Sequence, residues 1–504
     1  MEDKRITRRN LIMFPLGTVG RDMVYNLFAY NLATFVFYTR QLTTLQMSVI
    51  TAIMVAARVF DALNDPVMGN IIERTRTRWG KFKPWQVIGM LTTSVVIYLT
   101  FNVGLQGWSF VVFFGVMYFL FSITYTMNDI SYWGMIPSLS SEADTRNKFT
   151  ARTTLFAGIG GMAASALIPT FTTGDHAIGG SAVTAYGVVA LVIAIFAPLC
   201  MCFTFFGVKE QRDYNKEPAP PVSFKKIWTT ITRNDQLLWI SLIFLIQQIG
   251  NGIVISDIGK NYIYFDFGYS GGLFGTFQIL GMFVTGFLMI FYPAISRKMG
   301  RKKLMDLLMI ISASGYVIML LSGLFVPKGA AAVAGFDVKF LLVTLGYMLA
   351  NFGQYGFYLI MMISIMNTVE YNELKHGVRD EGIVSSLRPF LTKLASALTI
   401  AVANGTIIAF GLMDFTNKIA EQEQLAERLI ISSEEKSAAI EQLLTSVQPG
   451  QINSMMIVMT VAPCLLMFIS YLLYKKHYTL DEPEYDEICR QIEARKAAEP
   501  APEA

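Results

Sequence analysis

A charge at the middle of a bilayer costs roughly 2.5–3.5 kcal/mol on insertion scales, so ionisable residues inside apolar stretches are where chemistry is to be sought. This 504-residue sequence holds three such places. One reads Arg58-Val-Phe-Asp61-Ala-Leu-Asn64-Asp65-Pro66, a spacing that puts Arg58, Asp61 and Asp65 on one helical face with Asn64 flanking it. Another reads Thr126-Met-Asn-Asp129, with Trp133 one turn beyond the aspartate. The third opens on Arg21-Asp22, and Tyr25 and Asn26 continue the polar face from Asp22. Aspartate, amide and hydroxyl oxygens are hard donors, and this set suits a hard cation: Na⁺, H⁺ or a divalent ion. The competing reading pairs the charges with one another, the second-span carboxylates with Arg58 and Asp22 with Arg21. Trp133 beside Asp129 has the chemistry of a sugar site, a ring for the apolar face of a pyranose next to a carboxylate that accepts its hydroxyls. Packing is the alternative for that tryptophan.

The elements that must hold these residues are membrane helices. Hydrophobic residues make up 53% of the sequence and charged ones 15%, where soluble domains carry roughly 25% charged; mean hydropathy is +0.45. The apolar excess falls in runs long enough to cross a ~30 Å hydrocarbon core as a helix, among them 183–208, 239–256, 304–325 and 452–474. Spans are expected near 11–38, 46–70, 86–104, 109–136, 150–172, 183–208, 237–258, 270–296, 304–325, 338–366, 382–412 and 452–474. Alternate loops collect the cations: Arg74, Arg76, Arg78, Lys81 and Lys83, then Arg146, Lys148 and Arg152, then Lys209 to Lys226, then Arg297 to Lys303. The opposite loops hold scattered ones such as Arg40, Lys260 and Lys328. The positive-inside rule therefore puts both termini in the cytoplasm.

The expected fold class is all-α integral membrane, about twelve transmembrane helices in two six-helix bundles. Residues 1–208 form the first bundle, 209–236 a Pro-containing cytoplasmic linker, 237–474 the second bundle and 475–504 a charged cytoplasmic tail, disordered past about 497. The halves echo each other, since Arg78-Trp-Gly-Lys-Phe-Lys83 follows the second span and Lys298-Met-Gly-Arg-Lys-Lys303 follows the eighth. Residues 413–451 read as an outer-side amphipathic helical insertion lying on the membrane surface, with a lid or partner-binding role as the other reading. The basic start MEDKRITRRN has no cleavage site after it and reads as a cytoplasmic lead into the first span.

Other classes find little support. The four cysteines give neither a disulfide framework nor a metal spacing. The three histidines fall in loops or the tail, and no nucleophile elbow, phosphate loop or pore filter is present. A net charge of +4 gives no reason to expect nucleic acid. The sequence thus predicts no enzyme and no cofactor beyond a coupling ion, with a small-molecule sugar, the coupling cation and the lipid bilayer as partners. It carries no signal for an oligomeric state.

Longer motifs add to this reading. Phe60-Asp-Ala-Leu-Asn-Asp-Pro-Val-Met-Gly69 followed by Arg78-Trp-Gly-Lys-Phe-Lys-Pro-Trp85 resembles the signature of the glycoside–pentoside–hexuronide:cation symporter family, which has the major facilitator fold. Met127-Asn-Asp-Ile-Ser-Tyr-Trp133 with Pro137, Gly20-Arg-Asp22, Thr368-Val-Glu-Tyr-Asn-Glu373 and Tyr478-Thr-Leu-Asp-Glu482 extend the resemblance to all but 413–451. It implies a cation site of Asp61, Asn64, Asp65, Thr126 and Asp129, and a sugar site of Arg21, Asp22, Asp129 and Trp133, beside Tyr25 and Asn26. It also implies a functional lysine at Lys393, and a cytoplasmic network for conformational change that takes in Arg146, Arg379 and Glu370, with Arg58 in the charge balance of the second span. Two positions depart from the family's pattern. Its sugar-contacting arginine of the fifth span is missing near Thr154, with Arg152 two residues away, and Arg388 stands where the family has glutamine. Arg388 with Arg21 could clamp the carboxylate of a hexuronide, or Arg388 could pair with a carboxylate of its own half. The expected activity is Na⁺-coupled symport of a glycoside, oligosaccharide or hexuronide by alternating access. H⁺ coupling, a Na⁺-coupled carrier of lysolipids or other amphiphiles, and a membrane sensor or enzyme are the alternatives.

Overall fold

The computed structural model describes residues 2–140, 142–209, 224–329, 332–333 and 335–498. Residues 210–223 of the expected linker and the tail past 498 lie outside them. In chain order the helices are α1 (Glu2–Thr39), α2 (Thr44–Arg74), α3 (Lys83–Asn102), α4 (Gly107–Met135), α5 (Ala143–Thr172) and α6 (Ala182–Gly207). There follow α7 (Phe224–Arg233), α8 (Asp235–Ile253), α9 (Asp257–Phe267), α10 (Gly271–Met299), α11 (Arg301–Phe325), α12 (Val338–His376) and α13 (Glu381–Ala409). The last four are α14 (Met413–Glu427), α15 (Ser433–Thr445), α16 (Pro449–His477) and α17 (Glu482–Ala498).

Polar side chains set where these helices begin and end. Thr43 and Gln46 form a capping box before α2, Ser181 accepts the Val183 N–H at the start of α6, and Asp337 accepts from Lys339 at the start of α12; each satisfies a backbone donor that has no partner inside its helix. Eleven helical segments among the described residues are long and apolar enough to cross a membrane, Asp235–Phe267 counting as one. α1 is outside that set, yet its 38 residues pack along α5 and α6. The helices outrun the apolar stretches because caps and polar turns carry them past the hydrocarbon, α1 starting at Glu2 where the periodicity predicts 11. The seventh span, expected to stop near 258, breaks at Val254–Ser256 and resumes as α9 to Phe267; Ser256 Oγ accepts from Ile258 N at 3.3 Å to restart it.

The two basic turns share a backbone device. Gly80 and Gly300 both have positive φ, 106° and 71°, a region that glycine enters without a Cβ clash. After α2, Lys83 Nζ donates to the end carbonyls of α6, Phe205 O at 2.8 Å and Val208 O at 2.6 Å, while Lys81 pairs with Glu73 at 2.7 Å. A cation at a helix C-terminus meets unsatisfied carbonyls and the negative end of the dipole. After α10, Arg301 and Lys302 pair with Glu482 and Asp481, at 3.0 and 2.8 Å, at the start of α17.

Packing divides the chain into two compact units. The first holds the chain through α6 with Lys260–Ile279 and Ala403–Ile452; the second holds α7, α8, Leu280–Val402 and the chain from Asn453. Within the first, the ends of α1 and α2 opposite the basic turns draw in the later segments. Lys260 Nζ donates to Tyr30 O at 2.9 Å and to Thr34 Oγ1 at 2.5 Å, and Asn404 Nδ2 donates to Thr51 Oγ1 at 3.0 Å. The second unit's core is built from Leu237, Ile240 and Phe244 of α8, Leu304 and Leu308 of α11, Phe357 and Met361 of α12 and Tyr474 of α16, and α17 closes on it with Ile488 and Ile492.

The insertion departs from the sequence reading of a helix on the membrane surface. It forms two helices, α14 and α15, joined by a turn in which Leu429 has φ 57°, and it is docked on α1 and α6. Its apolar face, Ile419 and Ala420, is fully buried in the first unit. Amphipathic periodicity shows that one face needs cover, not whether lipid or protein provides it.

Candidate functional site

The site lies in the first unit, where α4 stands between α2 and α1. Towards α2, Thr126 Oγ1 donates to Asp61 Oδ1 at 3.0 Å, with both residues buried. One turn on, towards α1, Asp129 Oδ1 accepts from Arg21 Nη1 at 3.0 Å. The i, i+3 spacing of Thr126 and Asp129 puts both on the face that α1 and α2 flank. Gly20 lets α1 sit this deep, because a Cβ there would lie 2.5 Å from Ala197 Cα of α6.

Arg21 is the hub. Its Nη2 and Nε both donate to Asp22 Oδ2, at 2.8 and 3.2 Å, and Thr18 Oγ1 donates to the same oxygen at 2.6 Å. The alternative reading of Asp22, pairing with Arg21, therefore holds. Sequence neighbours point to different faces of a helix, but the long arginine curls back far enough to close the pair. Rings complete the socket: Arg21 Cζ lies 5.0 Å from the Tyr132 ring and 5.1 Å from the Trp133 ring. Tyr132 is itself fixed by stacking on Phe14 at 4.4 Å and by its hydroxyl donating to Phe14 O.

Exposure orders these groups. Arg21 is 2% exposed, while the Asp22 and Asp129 side chains are 23% and 31% exposed. The guanidinium is therefore buried while the two carboxylates it joins are partly exposed. Arg21, expected to contact substrate, is buried here and bonded to both carboxylates. Every bond to Asp22 given above falls on Oδ2, so Oδ1 is available to a hydroxyl donor.

The structure brings some predicted residues together and leaves others apart. Asp61 and Thr126 are joined, as are Arg21, Asp22, Asp129 and Trp133. Tyr25 lies nearby, 5.5 Å from Tyr125 and 5.9 Å from Arg58 between ring and guanidinium centres. Asn26 is turned away, contrary to the sequence reading: its Nδ2 donates to Ser165 Oγ at 2.7 Å and Gly161 O at 3.3 Å, so it holds α1 to α5. Asp65 and Asn64 are half-buried on α2, and Asn64 Nδ2 has no partner among the described residues. Among the described residues no group of three or more Asp, Glu, His or Cys side chains could hold a metal ion. Arg21 bonds Asp129 from α1. Arg58 is buried, within electrostatic reach of Asp61, Tyr25 and Tyr118.

In the second unit, Arg388 is exposed on α13 and reaches Met362 Sδ at 3.8 Å. It has no carboxylate partner among the described residues, against the reading that pairs it within its own half. Lys393 is half-buried one turn further along. Polar residues between these spans bond helix to helix, Gln247 Nε2 donating to Gln354 Oε1 at 2.9 Å and Asn351 Nδ2 to Gly281 O at 2.9 Å. At the basic end, Arg379 pairs with Glu370 at 2.9 Å and with Glu373 at 2.7 Å. The hydrogen bond to Glu373 raises the arginine's pKa further. Arg146 sits half-buried in the first turn of α5. Sequence reasoning missed Thr18 and Tyr132. Thr18 had a signal, being four residues before Asp22 and so on its face.

A multi-pass membrane protein of this helix order, with an arginine–carboxylate hub inside its first unit, has the fold of the major facilitator transporters. Two solved structures carry the fold at low identity: a bacterial homologue of the human lysosomal transporter Spinster (TM-score 0.59, 11% identity, 94% of this chain and 98% of that one) and the nucleoside transporter NupG (0.59, 10%, 92% and 99%). The chain belongs to the MFS/sugar transport protein family, matching it over residues 13–482.

Among curated relatives it is 29% identical over 425 residues to a lactose permease of Leuconostoc lactis, covering 80% of this chain and 63% of that protein. It is 26% identical to the raffinose carrier protein of Pediococcus pentosaceus (96% and 71%) and 24% identical to a putative glycoside/cation symporter of Escherichia coli (98% and 97%). The chain spans less than two thirds of the length of the three lactose permeases it matches here, 63%, 65% and 62%.

Proposed function

We propose that this chain is a cation-coupled sugar symporter of the inner membrane, with both termini in the cytoplasm, that carries a glycoside or oligosaccharide by alternating access with Na⁺ as the coupling ion. The observation that carries the reading is the double use of α4: Thr126 engages Asp61 on one side, and Asp129 engages the Arg21–Asp22 pair under Trp133 on the other. The relatives named as sugar permeases and glycoside/cation symporters support it.

The cation is taken by Asp61 and Thr126, with Asn64 and Asp65 of the same helix as further oxygen donors. Its charge relieves repulsion between Asp61 and Asp129 and steadies α4. The sugar then gives hydroxyl hydrogens to Asp22 Oδ1 and the Asp129 carboxylate and lays its apolar face on Trp133, while Arg21 keeps both carboxylates aimed. Because α4 serves both ligands, each favours the other's binding, and that coupling is reciprocal. The inward-negative potential adds about 2.3 kcal/mol per entering charge per 100 mV.

Counterflow in vesicles, with a panel of glycosides, uronides and lysolipids, tests this with and without Na⁺ and across pH. A neutral glycoside exchanged faster with Na⁺ is the expected result. A response to pH alone gives the same carboxylates a proton to carry, and exchange of lysolipids alone removes the sugar. A second reading, a hexuronide substrate, is favoured by Arg388, a guanidinium without a carboxylate partner among the described residues. If it holds, uronides outcompete their neutral counterparts and Arg388→Gln reverses the order; equal competition in the wild type rejects it.

A further inference from the structure

The start of α1 carries a charged face that the transport site does not use. Where this helix leaves the first unit it is firmly anchored. Asn10, 1% exposed, donates through Nδ2 to Lys209 O at 3.0 Å and accepts from Lys209 N at 3.0 Å, and Arg152 Nη1 donates to Leu11 O at 3.3 Å. From that anchor α1 continues back to Glu2 as one helix.

Arg5, Arg8, Arg9 and Ile12 stand at i, i+3, i+4 and i+7 and so share one side of it. Together with Ile6 they line a cavity of about 480 Å³, within the roughly 300–1,000 Å³ of sites that take small ligands. The three arginines are exposed, and none has a carboxylate partner among the described residues. Ile12 is 51% exposed beside them.

Helix physics alone works against such a face. Like charges three and four residues apart repel and weaken a helix, and Arg5 stands at both spacings, from Arg8 and from Arg9. A phosphate among them removes that repulsion, and the guanidinium fork matches phosphate oxygens in pairs. The level in the membrane says which phosphate. Residues 5–12 rise about 10 Å along the helix, and the polar headgroup layer is roughly 5–8 Å deep on each side of the hydrocarbon. The apolar run begins at Leu11, so the arginines stand at headgroup level and Ile12 stands where acyl chains begin. A free phosphate gains nothing from Ile6 and Ile12, whereas a phospholipid has apolar surface to lay on them. A zwitterionic headgroup would bring its own ammonium to three guanidiniums, which selects an anionic one. Positive-inside bias accounts for cations on this side of a membrane protein, but not for three of them on one face around one cavity.

We propose that this cavity binds one anionic phospholipid, with its phosphodiester between Arg5, Arg8 and Arg9 and the start of its acyl chains against Ile6 and Ile12. The site lies wholly within the first unit, goes beyond the transport reading and is independent of the substrate carried.

The test uses the purified full chain in detergent, titrated with phosphatidylglycerol, phosphatidylcholine or inorganic phosphate. Native mass spectrometry counts retained lipid, and thermal unfolding reads affinity. Phosphatidylglycerol should be retained in preference and should raise the unfolding temperature. A basic residue at the membrane surface contributes about fivefold in affinity for anionic lipid, so the triple variant Arg5→Gln, Arg8→Gln, Arg9→Gln should bind phosphatidylglycerol roughly 100-fold more weakly. The control Arg74→Gln, Arg78→Gln, Lys303→Gln removes as many exposed charges elsewhere and should keep wild-type affinity. An equal loss in both triple variants makes the effect one of net charge and overturns the site, as does equal affinity for the two lipids. Inorganic phosphate that stabilises the wild type as much as phosphatidylglycerol overturns the choice of a lipid. Ile12→Asn should weaken phosphatidylglycerol binding, and unchanged affinity would remove the acyl chain from this face and the lipid with it. No readout uses sugar, so failure of the transport reading would leave these results as they stand.

Discussion

Replacing Arg21 by lysine keeps the positive charge and removes the fork. In the wild type three N–H groups reach two carboxylates, Nη2 and Nε to Asp22 at 2.8 and 3.2 Å and Nη1 to Asp129 at 3.0 Å. A lysine ammonium is one compact donor on a single stem and does not span both sides of the pair as a planar guanidinium does. One carboxylate then loses its partner, and the face-on contact with Trp133 goes with it. A hydrogen bond to a charged group contributes roughly 1.5–3 kcal/mol, and about 1.4 kcal/mol is tenfold in a dissociation constant. Sugar affinity should therefore fall by about 10- to 150-fold. The Asp61–Thr126 contact is untouched, so the Na⁺ stimulation of the remaining binding should persist. Equilibrium sugar binding to purified protein, titrated with Na⁺, reads both quantities. Affinity within twofold of wild type would show that Arg21 does not aim the two carboxylates. Loss of Na⁺ stimulation in step with sugar binding would show that the two sites are not divided along α4 as argued.

Other perturbations address neighbouring parts of the reasoning. Asp61→Cys removes the partner of Thr126 and should abolish Na⁺ stimulation, a coupling worth roughly 5- to 150-fold in affinity, while weak downhill sugar exchange continues; full stimulation would move the cation site elsewhere. Arg379→Gln leaves Glu370 and Glu373 without their shared cation. At about 0.2–1 kcal/mol for each exposed pair, uptake should slow by up to about fivefold per pair with sugar affinity unchanged, and a fall in affinity instead would tie this network to the binding site. Ser433→Cys, at the exposed start of α15, should react with impermeant reagents in whole cells; reaction only in inside-out vesicles would reverse the orientation.

Local physics determined the helices and most of the candidate residues from the sequence alone. Apolar runs of membrane-crossing length have one solution for their backbone polar groups, the helix, and charges inside such runs are rare enough to mark Asp22, Asp61 and Asp129 before any packing is known. Spacing placed Thr126 on the face of Asp129, and the matching basic turns around Gly80 and Gly300 were legible because their chemistry is local. Rotamer and partner choices were not. That Arg21 is buried and bonded to two carboxylates, that Asn26 turns to Ser165, and that Asp129 is bonded from α1 depend on which helices stand beside α1 and α4. Periodicity gives a direction around one helix axis and carries no information about the neighbour it meets. The insertion shows the same division. Its amphipathic pattern demanded cover, but the cover came from α1 and α6, and only the folded chain could put Glu423, 241 residues away in sequence, on the first N–H of α6.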